Sequence, residues 1–401
     1  MILATSTGRL ASVVLRDETA GIQVADLNGA SGAVARPATS SSTPGSGPSP
    51  SPSAAAGVSP SGSVSPSASA SPSASASPSG SVSPSVSAPS AVTDDGRTWK
   101  SPVALIPGHT LSVTAVATVD GGPSTTLTRT FAVAGPKVTL GADVSPYGNE
   151  VVGVAYPISV QFSSRVSDKA AVQRALSVET SRTIGTASWS WITDRQVDFR
   201  PQAFWPAGTH VVVHVNLAGV RGGPGLYGVK NRDVTFSVGR SQVFKVNGKT
   251  HQGVVVRAGT VIKTVPVSLG RPGYPSRSGI KVIMTKEFKH RMDSTTVGIT
   301  GPDAYNVVVP YALRITNSGE FLHGAPWNGQ IGSANVSHGC TNLHLSDARW
   351  FYNNALVGDP VVTTGTSKKM ESRGNGLGSD WNMSWSAWLK GSAVPTLATS
   401  G

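Results

Sequence analysis

The chain has 401 residues with 45 glycines and 28 prolines, while only 13% of its residues are charged and 6% are aromatic. This composition argues against long helices and predicts two or three domains built of short β-strands joined by turns. A single cysteine excludes an internal disulfide bond and a cysteine-rich zinc site. The formal net charge of +12 predicts affinity for a polyanion. Because no basic cluster is interleaved with aromatic residues, an anionic cell wall or membrane surface is predicted, and no nucleic acid.

A repetitive Ser/Pro/Ala tract occupies about residues 37–91. The tract has no charged or aromatic residue and cannot bury enough apolar surface to offset its ordering entropy, so we predict that it is disordered. The strand-like segment before it is too short to be a domain, because isolated hairpins are marginal in water. We therefore predict one immunoglobulin-like β-sandwich over residues 1–135. The tract is then an expanded loop, whose closure cost grows only logarithmically with length.

The next segment, residues 136–240, again alternates strand-like runs with turns. Its run "WPAGTHVVVHV" repeats the pattern of "LIPGHTLSVTA" in the first segment, a turn followed by a strand of alternating apolar residues. This internal echo predicts a second immunoglobulin-like sandwich. One short helix is expected at "SDKAAVQRALSV".

Residues 241–366 are predicted to form a third, β-rich domain. It begins as a meander with turns at Asn247-Gly248 and Ala258-Gly259. A short helix is expected at "DARWFYNNALV", with Ser346 as its N-cap and Gly358 as its stop.

The remaining residues, 367–401, form a C-terminal extension that contains Trp381, Trp385 and Trp388. Their spacing of four and three predicts one face of a helical turn, and we expect it to dock on the third domain.

The segment "SHGCTN", residues 337–342, holds the only cysteine, Cys340. Composition alone favours a small buried apolar residue. A nucleophilic thiol, with an ordinary pKa of about 8.5, needs a base or a positive neighbour to depress that pKa. His338 shares a strand face with Cys340, whereas His323 would approach from a separate strand. The N–H groups of Gly339 and Cys340 are candidates for an oxyanion hole.

A catalytic zinc site is the alternative interpretation of the same residues. His323, His338 and Cys340 are acceptable zinc ligands, and three ligands with a water would complete such a site. No HExxH motif or nearby carboxylate supports it. We therefore expect no metal and no cofactor.

The string "HGAPWNGQIGSANVSHGCTN" resembles the signature of the L,D-transpeptidase family, whose catalytic domain is called YkuD-type. The resemblance covers about residues 241–390, including "PVSLGRPGYPSRSGIKVIMTK", "WFYNNALVGDPVV" and the tail "GLGSDWNMSWSAWLKG". Tandem immunoglobulin-like domains before the catalytic domain are similar to the architecture of members from high-GC Gram-positive bacteria. The resemblance implies a mainly β protein, with two immunoglobulin-like sandwiches, a YkuD-type catalytic domain with a short helix, and the tryptophan-containing extension.

The resemblance also implies roles for individual residues. Cys340 is the nucleophile and His323 its base, while Ser337 and His338 shape the pocket and Gly339 supplies an oxyanion N–H. Gly324 stands where close relatives carry serine, and a main-chain carbonyl there would still orient the imidazole. The implied substrate-binding residues are Tyr305, Gly324, Trp327 and Asn342.

The function implied is a peptidoglycan L,D-transpeptidase that forms 3→3 cross-links through a cysteine thioester and releases D-Ala from a donor tetrapeptide. Its partners would be that donor, a diaminopimelate acceptor stem and anionic wall polymers, with carbapenem β-lactams as inhibitors. Two alternatives stay open: an L,D-carboxypeptidase that uses water as acceptor, and a non-catalytic wall-binding protein. Such a transpeptidase belongs outside the cytoplasmic membrane. Because "MILATSTGRLASVV" lacks the pattern of a signal peptide, we expect an export or lipoprotein segment upstream of it.

Overall fold

A computed structural model of the chain describes residues 1–27, 29–30, 92–93 and 95–394. The Ser/Pro/Ala tract, for which we predict disorder, lies outside the described residues. The chain divides into two compact units, Met1–Val103 with Thr110–Phe131, and Ala104–His109 with Ala132–Gly401. None of the described helices combines the length and apolar character that crossing a bilayer requires. The predicted mainly β architecture is confirmed.

The first unit joins strands from both sides of the tract in one sheet. The strand Arg9–Asp17 pairs antiparallel with Thr110–Thr118, so that Asp17 lies opposite Leu111. Apolar residues alternate along both strands and are buried, as one covered sheet face requires. This pairing places the two flanks of the tract in one sheet, while a single immunoglobulin-like domain over residues 1–135 stays a prediction. The described strands of this part are β1 (Ile2–Ala4), β2 (Arg9–Asp17), β3 (Ile22–Asp26), β4 (Gly29–Ala30), β5 (Thr98–Lys100), β6 (Thr110–Thr118) and β7 (Ser124–Ala132).

The second unit begins with a sandwich of two four-stranded sheets and a small three-stranded sheet. The tight turn before its strand at residues 210–216 contains Gly208 at φ +72°. Gly108, at φ +87°, precedes β6 in the same way. The two similar sequence runs therefore also share a glycine with positive φ before the strand. The predicted short helix is confirmed. The elements are β8 (Val138–Thr139), β9 (Ala142–Ser145), β10 (Val151–Val152), β11 (Ile158–Phe162), α1 (Lys169–Arg174), β12 (Leu176–Thr180), β13 (Ala187–Trp191), β14 (Gln196–Pro201), β15 (His210–Asn216), β16 (Arg221–Gly223), β17 (Leu226–Tyr227) and β18 (Asn231–Val238).

The same unit continues with a six-stranded and a four-stranded sheet. The predicted meander opens the larger sheet, and Ala258 and Gly259 both have positive φ, as a two-residue type I′ turn requires. The elements are β19 (Gln242–Asn247), β20 (Gln252–Arg257), β21 (Thr260–Pro266), β22 (Arg277–Val282), β23 (Thr285–Asp293), β24 (Asn306–Arg314), β25 (Phe321–Gly324), β26 (Thr341–Leu343), α2 (Leu345–Asn354), β27 (Pro360–Thr364) and β28 (Lys368–Lys369), with 3-10 turns at Ser294–Val297 and Gly301–Asp303.

The predicted limits of α2 are wrong at both ends. The helix begins at Leu345 directly after β26, with His344 as its N-cap and Ser346 inside the first turn. It ends at Asn354 rather than at Gly358, because Ala355 is extended and its side chain is buried in the core.

The C-terminal extension folds as a 3-10 turn, Ser379–Asn382, and the helix α3, Trp385–Leu389. The Arg200 guanidinium packs over the rings of Trp381, Trp385 and Trp388 at 4.8, 5.2 and 4.6 Å from their centroids. The indole of Trp388 is fully buried and donates to the carbonyl of Ser188 at 3.0 Å. All three tryptophans therefore contact the same side chain, Arg200, which lies on β14 of the second sandwich.

The extension also contacts the third domain, as predicted from the sequence. There, Asn382 Oδ1 accepts a 2.8 Å hydrogen bond from the N–H of Ile280 in β22. The extension thus touches both the sandwich and the β-rich domain that follows it, and the prediction of a single docking partner was incomplete.

Two buried carboxyl groups meet beside this contact, Asp198 of β14 and Asp380 of the extension. Burial raises the pKa of both, and the two groups share a hydrogen bond. Arg200 and Arg373 both oppose the shift in the pKa of Asp380, but burial and the neighbouring carboxyl outweigh them. The folded pair therefore binds a proton more tightly than two solvated carboxyl groups do.

We predict that the free energy of unfolding of the second unit decreases between pH 5 and pH 8. A raised folded pKa means that the folded state binds more protons than the unfolded state, so stability falls as pH rises above the unfolded value of about 3.9. Asp380→Asn should flatten this slope, because an amide donates the shared hydrogen bond without a proton to lose. The measurement is the free energy of unfolding at each pH, from urea unfolding followed by tryptophan fluorescence.

The matched control is Asp194→Asn, whose exposed carboxylate has a lowered pKa and should leave the slope unchanged. A native-like slope in Asp380→Asn would contradict the prediction.

Candidate active site

A cavity of about 540 Å³ opens beside the four-stranded sheet. Seven of the nine residues predicted for the site line it; the other two, Gly324 and Gly339, adjoin lining residues in the chain. The seven are Tyr305, His323, Trp327, Ser337, His338, Cys340 and Asn342. The motif residues, which are up to 37 positions apart, thus meet at one place.

The parallel pairing of β25 with β26 brings the candidate nucleophile and base together. His323 lies opposite Asn342 in this ladder, and Cys340 stands two residues before Asn342. Cys340 itself lies in the bend directly before β26, which begins at Thr341. Both His323 and Cys340 line the cavity.

The Cys340 thiol is buried, with 7% of the residue exposed. It donates to the carbonyl of Gly319 at 3.6 Å, and the N–H of Phe321 donates to its sulfur. Burial raises the pKa of Cys340 to about 12. Lys281 and Arg314 are positive neighbours that lower the pKa of the thiol, as the sequence argument required, but the effect of burial is larger.

His323 is also buried, and its Nδ1 lies 2.9 Å from the carbonyl oxygen of Gly324. Nδ1 must donate to that oxygen, which leaves Nε2 as the unprotonated nitrogen. Burial lowers the pKa of His323 to about 4. Cys340 and His323 thus rest as a neutral thiol and a neutral imidazole at physiological pH, and the thiol proton must be removed as the sulfur attacks.

Ser337 holds the loop that carries the cysteine. Its Oγ donates to the carbonyl of Cys340 at 2.6 Å and accepts from the N–H of Gly339 at 3.1 Å. Gly339 has φ +122°, which a residue with a side chain rarely adopts, and its carbonyl accepts from Ser276 Oγ at 2.6 Å. The N–H of Gly339 is therefore already engaged, and an oxyanion would have to compete with Ser337 for it.

His338 contacts the predicted residue Tyr305 and a group of residues outside the motif, Arg271, Tyr274 and Asp303. Arg271 Nη2 donates to its Nε2 at 3.0 Å, and the rings of Tyr274 and Tyr305 lie 4.9 and 5.0 Å from its own. Arg271 also pairs with Asp303, which accepts from the Tyr274 hydroxyl at 3.0 Å. Burial, and then Arg271, lower the pKa of His338. Because Nε2 is occupied by Arg271, this ring nitrogen is not available as a base for the thiol.

The remaining lining residues offer both apolar and polar contacts. Trp327 is 56% exposed at the rim and stacks on the His323 ring at 6.3 Å. Burial raises the pKa of Tyr305 to about 12, so its hydroxyl keeps its proton. Within the described residues, Asn328 Nδ2 and Asn342 Oδ1 are buried and have no hydrogen-bond partner. Those two amides can serve a peptide group in the cavity.

A group of three or more His, Cys, Asp or Glu side chains placed to hold a metal ion does not occur in the described part of the chain. The fold and the cavity together define a β-rich domain that holds a buried cysteine and a buried histidine in one cavity and is preceded in the chain by a β-sandwich.

Comparison with known proteins identifies the family. Residues 80–221 match the bacterial Ig domain, and residues 241–363 match the L,D-transpeptidase catalytic domain. L,D-transpeptidase 2 of Mycobacterium tuberculosis is 34% identical over 307 residues, which cover 75% of this chain and 74% of that protein. This chain belongs to the L,D-transpeptidase family and is an enzyme of that type.

Two further relatives agree with this assignment. L,D-transpeptidase 1 of Mycobacterium tuberculosis is 37% identical over 227 residues, which cover 56% of this chain and 84% of that protein. A solved L,D-transpeptidase structure in complex with imipenem is 35% identical and aligns with a TM-score of 0.50 over 57% of this chain and 100% of that one.

The two histidines make a discriminating pair of variants. We expect His323→Ala to lower the rate of Cys340 acylation by roughly 10²–10⁴-fold, the usual contribution of a general base. His338→Ala should cost less, because its Nε2 accepts a hydrogen bond from Arg271 and does not face the thiol as a base. Stopped-flow measurement of acylation by a chromogenic β-lactam compares them, and the reverse ranking would show that the base is assigned to the wrong residue.

The neutral pair also predicts the pH dependence of acylation. The rate should stay level from about pH 5 to pH 9 and fall as pH drops through about 4, where His323 gains a proton and loses its basic nitrogen. Because Cys340 is the only cysteine, thiolate absorbance near 240 nm should be absent at pH 7. A clear thiolate band at that pH would indicate a preformed ion pair instead.

Proposed function

We propose that this enzyme is a peptidoglycan L,D-transpeptidase that forms 3→3 cross-links through a thioester on Cys340. The observation that carries the proposal is the neutral pair of His323 on β25 and Cys340 directly before β26, both of which line one cavity of about 540 Å³. The family to which the chain belongs supports the reaction type.

In the first half-reaction, Cys340 Sγ attacks the carbonyl carbon of the third residue of a donor tetrapeptide while His323 Nε2 takes the thiol proton. The negative charge that develops on the carbonyl oxygen is met by the N–H of Cys340 and the protonated hydroxyl of Tyr305. When the intermediate collapses, His323 returns the proton to the departing amine, the C–N bond breaks and D-Ala leaves. The thioester remains on the sulfur.

In the second half-reaction, the side-chain amine of diaminopimelate on a neighbouring stem attacks the thioester carbon. His323 takes a proton from that amine and gives it to the sulfur as the C–S bond breaks, so the thiol is restored. The unpartnered amides of Asn328 and Asn342 suit the N–H and C=O groups of an extended peptide.

We further propose how the domains serve this reaction. Residues 1–135 and 136–240 form the two immunoglobulin-like domains, residues 241–366 the catalytic domain and residues 367–401 the extension. The enzyme works outside the cytoplasmic membrane, where its net charge of +12 favours contact with anionic wall polymers.

Incubation with a defined disaccharide tetrapeptide tests the reaction. We expect a 3→3 dimer and free D-Ala in the mass spectrum, and neither product from Cys340→Ala. Tripeptide without dimer would replace transpeptidation with carboxypeptidation. Full cross-linking by Cys340→Ala would overturn the proposed mechanism.

Carbapenems are the proposed inhibitors, since a related structure is a complex with imipenem. Intact-mass analysis should show one added imipenem per chain in the native protein and none in Cys340→Ala. An adduct of equal yield in both proteins would mean that the drug reacts elsewhere.

A further inference from the structure

A buried ion pair lies directly behind the candidate nucleophile. Lys281 of β22 is fully buried, and its Nζ lies 2.6 Å from Oε2 of Glu320, which is 3% exposed. Glu320 immediately precedes β25, the strand that carries His323. Neither Lys281 nor Glu320 has a part in the reaction described above.

A second cation and a second carboxylate complete the cluster. Arg277 Nη1 lies 2.9 Å from Glu320 Oε1, and Arg277 Nε lies 2.7 Å from Glu371 Oε2. Two cations and two carboxylates cancel, so the cluster is neutral as long as all four side chains are present. Removal of Lys281 or Glu320, whose side chains are almost fully buried, leaves a net charge that solvent screens little.

The backbone connects this cluster to the sulfur. Cys340 Sγ donates to the carbonyl of Gly319, and the N–H of Phe321 donates to the sulfur, so Glu320 is the residue between the two groups that hold the thiol. The Glu320 carboxylate raises the pKa of Cys340, whereas Lys281 lowers it.

The other ionisable groups that face the thiol belong to different elements. Arg314 of β24 lowers the pKa of Cys340 from one side, and Tyr305, His323 and His338 share its cavity. Those four groups are unchanged in the variants below, so a difference between variants reports on the Lys281 and Glu320 pair.

We propose that Lys281 and Glu320 are positioning residues that set the reactivity of the Cys340 thiol, with Lys281 neutralising the carboxylate that would otherwise oppose negative charge on the sulfur. The proposal rests on the proposed function only in taking Cys340 as the nucleophile. A buried ion pair contributes little net stability compared with apolar residues of similar volume, so stability alone gives no reason to keep one at this place.

The experiment measures alkylation of the only cysteine by iodoacetamide between pH 6 and pH 10, with intact mass as the readout, in the native chain and three variants. Lys281→Met should be about tenfold slower at a given pH, because an uncompensated carboxylate moves the thiol titration up by about one pH unit. Glu320→Gln should be about tenfold faster. The double variant should return to within about threefold of the native rate.

Lys263→Met is the matched control, since Lys263 forms a similar 2.8 Å pair with Asp347 on α2 and should alkylate at the native rate. Rates that fall together in all three variants, in step with thermal stability, would assign the pair a structural role and overturn the proposal. If Lys281→Met does not fold, Glu320→Gln decides alone, and a native rate in that variant overturns the proposal.

Alkylation requires no peptidoglycan, so failure of the proposed function and failure of this inference give different results. Opposite shifts in the two single variants support the inference even if no 3→3 dimer forms. Absent shifts overturn it even if dimers form normally.

Discussion

The parallel pairing of β25 with β26 is the constraint on which the rest of the site depends. It fixes His323 opposite Asn342, two residues from Cys340, although 17 residues separate the histidine from the cysteine along the chain. The loop between the two strands is held by hydrogen bonds from Ser337 and Ser276, and it passes through a backbone conformation at Gly339 that glycine accepts without strain. A residue with a side chain would strain the backbone at this position, directly before the nucleophile.

Burial determines the electrostatic character of the site. The loss of solvent moves the pKa of Cys340 up to about 12 and that of His323 down to about 4, so charge appears only when a substrate reacts. In the proposal above, the ion pairs of Glu320 with Lys281 and Arg277 act on the thiol in this buried setting. In a cavity with little solvent, fixed neighbouring charges replace water in deciding how readily the sulfur becomes negative.

Much of this arrangement could be predicted from the sequence. The resemblance of the motif to the L,D-transpeptidase signature implied the roles of Cys340 and His323, and strand periodicity indicated the elements around them. The cap of α2 was wrong because Ser346 has the chemistry of an N-cap, whereas the chain already turns into the helix at His344. That turn is fixed by the end of β26, which periodicity does not locate to a single residue.

Residues covered by the C-terminal extension could not be predicted in the same way. Lys281 alternates with Ile280 and Val282, which is typical of an outward-facing position, yet the backbone at Gly378 packs directly against it. Arg200 has the same appearance in the sequence and is enclosed by three tryptophans about 180 residues later. In both cases a segment distant in the sequence buries the side chain, so the local hydrophobic pattern does not predict the burial. The Arg271, Tyr274 and Asp303 contacts around His338 escaped prediction for the same reason.

In the proposed mechanism, a peptide acyl group passes through the sulfur of Cys340. The most direct test is acid quenching of the enzyme during turnover of a donor tetrapeptide, followed by mass mapping of the peptide that contains residue 340. We expect an adduct equal in mass to the donor without D-Ala, located on Cys340 and removed by hydroxylamine as a thioester is. Continued product formation with an unmodified Cys340 at every quench time would contradict it.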